Sequence, residues 1–169
     1  DIQNKTFDYI VAPNALTTTL YGIWHDGKDN YTLAGGFTSK DAGSASQAFL
    51  ANWNSRTKLM TNLRGYQGDN QKFTSLVTHF EGITNAPGGY NIAAGFSSKD
   101  NADGAAFAHI RRNHDGTFGE AEWQTLRYPD QGVKMTTSDT VFEDNILGIL
   151  VSEDGLASYL AKIGFQPKH

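Results

Sequence analysis

Three blocks of this sequence recur in the same order, and a chain that repeats itself must fold as copies of one unit. Leu20-Tyr21-Gly22-Ile23 is echoed by Phe80-Glu81-Gly82-Ile83. The run from Tyr31-Thr32-Leu33 through Phe37-Thr38-Ser39-Lys40-Asp41 is echoed from Tyr90-Asn91-Ile92 through Phe96-Ser97-Ser98-Lys99-Asp100, and Gln47-Ala48-Phe49 by Ala105-Ala106-Phe107. The offsets are 60, 59 and 58 residues, so register is kept with only single-residue slips. A shorter third copy reads through Val141-Phe142, Ile146-Leu147-Gly148-Ile149 and Ala157-Ser158-Tyr159. One domain covering residues 1–169 is expected, with copies at about 8–73, 74–132 and 133–165.

The unit has strand character. Residues 31–37 and 90–96 mix alternating apolar positions with glycine, and residues 17–24 are dense in β-branched and aromatic side chains. Asp26-Gly27, Pro87-Gly88-Gly89, Asp103-Gly104, Asp115-Gly116 and Asp154-Gly155 bracket these runs with turn chemistry. Residues 44–53 and 156–163 contain good helix formers, but the repeat demands a strand at both places. Residues 56–72 lack a period and are read as a long connection with one short strand near residues 59–63.

The expected fold is all-β: an antiparallel barrel of about 10–12 short strands with internal pseudo-symmetry, trefoil-like or similarly closed, since closure removes aggregation-prone edges. A sandwich is the alternative. Four-stranded blades of ~45 residues would leave fewer than four here, which argues against a propeller.

Composition narrows the function classes. The net charge is −4, and 14 Lys and Arg are spread along 169 residues, giving no phosphate-binding stripe and no nucleic-acid partner. Adjacent Arg111 and Arg112 point to opposite faces of a strand. The absence of cysteine removes disulfides, thiolate nucleophiles and sulfur-ligated zinc. No apolar run is long enough for a spanning helix, so no membrane partner is expected. The opening Asp1-Ile2-Gln3-Asn4 suits a mature end left by signal cleavage, an expectation of a secreted or periplasmic protein.

Pro13 and Ala15-Leu16-Thr17-Thr18-Thr19, then Gly22-Ile23, an Asp-Gly turn, a glycine-rich strand and an Ala-Phe strand together resemble the HAF-type repeats of bacterial extracellular proteins. The stretches from Trp123 to Pro129 and from Thr136 to Phe142 are similar to the connection between such repeats. Those repeats usually read His-Ala-Phe or His-Gly-Phe where this chain has Gln47-Ala48-Phe49, Ala105-Ala106-Phe107 and Ala157-Ser158-Tyr159, so the first residue departs in every copy. The resemblance implies secretion and β architecture. It supplies no catalytic residues, because its motif consists of turn glycines and packing residues.

Two functional readings stay open. As a binding domain, the chain would stack a saccharide or other small molecule on turn-bordering aromatics, for which Trp24, Tyr31 and Tyr90 are the candidates. As an enzyme of the isomerase, cyclase or lyase type, it would use His79, Glu81, His109 and Arg111 for acid-base proton transfer on a small, partly apolar substrate. His79 and Glu81, two apart, share one strand face, as do His109 and Arg111. These four must converge on one concavity for the second reading to hold.

Other chemistries find less. The five histidines match no zinc-ligand spacing, the glutamates give many glycosidase pairs and no basis for choice, and Gly-x-Ser-x-Gly is absent. Asp100-Asn101-Ala102-Asp103-Gly104 and Asn113-His114-Asp115-Gly116 suggest calcium, with Asp100 and Asp103 the better pair, but neither matches an EF-hand loop and ordinary Asp-Gly turns explain both. No metal and no cofactor is expected. Aromatic residues in excess of one small core point to a homo-oligomer, with no interface named by the sequence.

Overall fold

The protein is described by a computed structural model covering residues 7–41, 46–68, 75–98 and 104–164. These residues form twelve strands: β1 (Ala15–Gly27), β2 (Asn30–Ser39), β3 (Gln47–Asn54), β4 (Leu59–Tyr66), β5 (Ser75–Ala86), β6 (Gly89–Ser98), β7 (Gly104–Arg112), β8 (Phe118–Leu126), β9 (Val133–Thr136), β10 (Thr140–Phe142), β11 (Asn145–Ser152) and β12 (Gly155–Lys162). The all-β expectation holds. Both segments with helix-forming composition are strands, β3 and β12, because their backbones pair along β2 and β11.

The strands make three antiparallel sheets. Sheet 1 has the order β1-β2-β3-β4 and sheet 2 the order β5-β6-β7-β8. In sheet 3, β12 lies on one side of β11, and β9 and β10 share the other. Sheets 1 and 2 have matching register breaks in their first hairpins, between Leu20 and Gly22 and between Phe80 and Gly82. The extra residue of each bulge, Tyr21 and Glu81, re-aims a side chain.

Closure into a barrel is not found among the described residues. Pairing runs within each sheet, and a single isolated bridge, Ser46 to Val77, links sheet 1 to sheet 2. The sheets instead pack face to face, as in the sandwich alternative extended to a third layer. Sequence alternation specifies which face of a strand is buried; closure depends on edge pairing, which alternation does not encode.

Sheet 2 is the middle layer. From it Tyr90, Ile92, Ala94, Phe96, Ala106, Ala108 and Ile110 point into a core shared with Ala34, Ala48, Leu50 and Tyr66 of sheet 1. The intervening Ala93 and Phe107 point the other way, into a second core with Val133, Val141, Ile146, Leu150 and Tyr159 of sheet 3. Burial on both faces explains why Ala105-Ala106-Phe107-Ala108 shows no alternation. Polar pins join the layers: Arg64 Nη1 donates to Phe118 O at 2.6 Å, Tyr66 Oη to Gly119 O at 2.9 Å, and Ser138 Oγ to Ala106 O at 3.1 Å.

Candidate functional site

A concavity of about 1170 Å3 opens where the three sheets meet at one end. Two hairpin turns form its rim. Pro87-Gly88 joins β5 to β6, with Pro fixing the first corner and Gly88 taking φ +72° at the second. Glu143-Asp144 joins β10 to β11.

Its floor is a charged network between sheets 1 and 2. Asp26, at the end of β1, accepts a 2.6 Å hydrogen bond from Tyr90 Oη and another of 2.6 Å from Thr32 Oγ1, and pairs with Arg112 Nη1 at 2.7 Å. Arg112 also donates to Tyr90 Oη, and Thr32 Oγ1 lies 2.9 Å from that oxygen. Burial raises the Tyr90 pKa and the hydrogen bond to Asp26 adds to the shift, so its hydroxyl keeps its proton and donates. Burial alone would lower the Arg112 pKa, but its contacts with Tyr90 and Asp26 outweigh that and hold the guanidinium charged.

A second network joins sheets 2 and 3. His109 is 2 % exposed, and its Nδ1 lies 2.9 Å from Asn91 Oδ1, whose Nδ2 donates to Glu143 O at 2.7 Å. With the amide oxygen as acceptor, Nδ1 carries the proton. Burial lowers the His109 pKa and the nearby Glu122 charge opposes the shift. The folded state therefore binds this proton less readily than the unfolded chain does. The stability tied to His109 is complete above its unfolded pKa of about 6.5 and is lost as pH falls below it. Urea midpoints measured from pH 7.5 to 5 should fall on acidification, and His109→Gln should flatten that slope.

The four acid-base candidates do not share one concavity. His79 Nε2 contacts Glu81 Oε1 at 2.5 Å, and both line a separate, smaller cavity of about 210 Å3 with Gly95, Gly104 and residues 135–139. His109 lines the large cleft, and Arg111 reaches toward Glu122 at 3.8 Å. On β6 the partners of His79 and His109 are Gly95 and Asn91, four residues or roughly 13 Å apart. Ala93 and Phe107 of the second core fill the space between.

Of the three aromatic candidates, Tyr90 lines the cleft but is 2 % exposed and committed to the Asp26 network. Trp24 packs against the first core, and Tyr31 lies against His25 with ring centroids 5.0 Å apart. The cleft also holds Asp26, Asn85, Asn91, Arg112, Asp144 and Lys162, to which the sequence assigns no role. Asp26 is hidden in an Asp-Gly pair that reads as a turn. For Arg112 a signal existed, since its alternation with Arg111 sends it to the face that Tyr90 occupies. Among the described residues, no group of three or more His, Asp or Glu side chains is arranged to hold a metal ion. The calcium candidates Asp100 and Asp103 lie outside the described residues. Among those residues, no helix is long and apolar enough to cross a membrane.

No family model, no curated protein and no solved structure matches the chain.

Proposed function

We propose that the chain binds a small, neutral, polyhydroxylated ligand of the saccharide class in the three-sheet cleft, and acts outside the cytoplasm, as its likeness to HAF-type repeats implies. The observation that carries this reading is that both cations of the cleft lining, Arg112 and Lys162, are paired with carboxylates of the same lining, with Glu143 the one further carboxylate on the rim. Arg112 is matched by Asp26, and Lys162 faces Asp144 at 3.8 Å. Such a lining offers donors and acceptors at short intervals with no dominant sign, which suits hydroxyl groups better than an anion or a cation. Asn85 and His114 line the same space, with Asn113, whose Nδ2 also donates to Thr117 Oγ1 at 2.9 Å. Specificity here rests on hydrogen bonding rather than on the aromatic stacking expected of Trp24 and Tyr31.

Binding is favoured over acid-base turnover because the catalytic candidates divide between two cavities. Isothermal calorimetry against a panel of neutral oligosaccharides tests this. One member of the panel should bind, and Asn113→Ala together with Asn85→Ala should weaken it about tenfold or more, the loss of ~1–1.5 kcal/mol per neutral hydrogen bond. Undiminished binding by that double variant, or binding only by charged compounds, contradicts the proposal.

A further inference from the structure

We infer that two copies of this chain close into a ring of six sheets, residues 7–10 of each copy completing the third sheet of the other. Sheets 1 and 2 each end on a fourth strand, β4 and β8. Sheet 3 stops at β12, which has no further neighbour among the described residues. The sequence nevertheless holds a third segment in the fourth-strand position.

A recurring hydrogen bond identifies it. Two residues beyond β4, Gly68 N–H donates to Thr78 Oγ1 at 2.9 Å; two residues beyond β8, Tyr128 N–H donates to Thr136 Oγ1 at 3.2 Å. Ala12 N–H donates to Thr18 Oγ1 at 3.0 Å. The three threonines hold equivalent places on their strands, opposite Phe37, Phe96 and Leu150. The segment ending at Ile10 therefore stands where β4 and β8 stand, with Phe7 at the position of Leu63 and Trp123. Phe7 is 92 % exposed in the single chain, although its counterparts Leu63 and Trp123 are half-buried.

The faces agree with the strands. Sheet 1 packs on sheet 2 and sheet 2 on sheet 3, and the next face in that series is apolar and open. It carries the cross-strand pairs Leu147–Leu160 and Val151–Leu156 with Ile149 between them. Leu156 and Leu160 are 76 % and 70 % exposed, a cluster a soluble surface rarely tolerates. At the other end of the stack, Thr18 and Phe37 place the segment before β1 over the outer face of sheet 1, and Asp8 is pinned to Lys58 at 2.6 Å. Residues 7–10 thus already occupy the place a preceding sheet would take.

Ring arithmetic selects the partner. Radial arrays of four-stranded sheets close with about four to eight members. These 169 residues supply three sheets, and two copies of them supply six related by a two-fold axis.

Light scattering on the 169-residue chain should give twice the mass of one 18.5 kDa chain. The register that pairs Tyr66 with Ala48 and Leu126 with Ala105 pairs Ile10 with Ser158. The chain has no cysteine, so an I10C/S158C variant forms only the designed bond, within reach across adjacent strands. Non-reducing gels should show a covalent dimer, and L156K/L160K should halve the mass while leaving the far-ultraviolet circular dichroism unchanged. A monomeric wild-type chain, an intramolecular I10C/S158C bond or an open-ended polymer would each overturn the closed pair.

Discussion

Phe107→Ala should destabilise the protein by about 3–5 kcal/mol, the range for emptying a fully buried aromatic site. Phe107 is 0 % exposed and is the large side chain that sheet 2 contributes to the core beneath sheet 3. Its neighbours on that face, Ala93 and Ala105, are too small to collapse into the space. Calorimetry should record a fall in the melting temperature on the order of 10 °C for a chain of this size. Leu59→Ala, at a position 59 % exposed, should move it by no more than about 2 °C. Equal effects of the two substitutions would mean that the sheet 2–sheet 3 interface is not a packed core.

Asp26→Ala should have the second largest effect. Its carboxylate is the shared acceptor for Tyr90, Thr32 and Arg112. Removing it leaves a hydroxyl without its acceptor and a guanidinium, 32 % exposed, without its counter-charge. Breaking a fully buried pair costs about 3–5 kcal/mol; partial solvent access to Arg112 reduces that to about 2–3. Denaturant unfolding measures the loss, and the double variant D26A/R112A should recover part of it because no uncompensated charge remains. Additive losses in the double variant would show that the two side chains do not act as a pair. Because Asp26 and Arg112 line the cleft, both variants should also lose ligand binding.

Much of the fold was legible in the residues. Alternation and Asp-Gly or Pro-Gly turns marked the strands, and the recurring blocks overrode local helix propensity at β3 and β12, where pairing decides the outcome. The layering was not read, although the unbroken apolar run from Ala105 to Ala108 held the signal: such a strand has no solvent face. Closure is not encoded by alternation: the described strands leave β1, β4, β5, β8 and β12 as sheet edges, and stacking buries the faces between them.

The site was less legible because its members are far apart in sequence. His109, named with His79, Glu81 and Arg111 for acid-base work, is instead buried and bonded to Asn91, and burial lowers its pKa. Asp26 and Arg112 come together only because β1 of one sheet and β7 of the next end at the same side of the stack. Neither residue has a spacing that predicts the other. His79 and Glu81 do meet, as their i, i+2 relation on a strand indicates, but the smaller cavity they share is shut off from His109 by Ala93 and Phe107.

If a neutral polyhydroxylated ligand occupies the three-sheet cleft, amide chemical-shift mapping during titration with the best saccharide of the panel should show perturbations concentrated at Asn85, Gly88, Asn91, His109, Asn113 and Asp144. Perturbations gathered instead around His79, Glu81 and residues 135–139, or spread over the outer strands with the cleft silent, would contradict it.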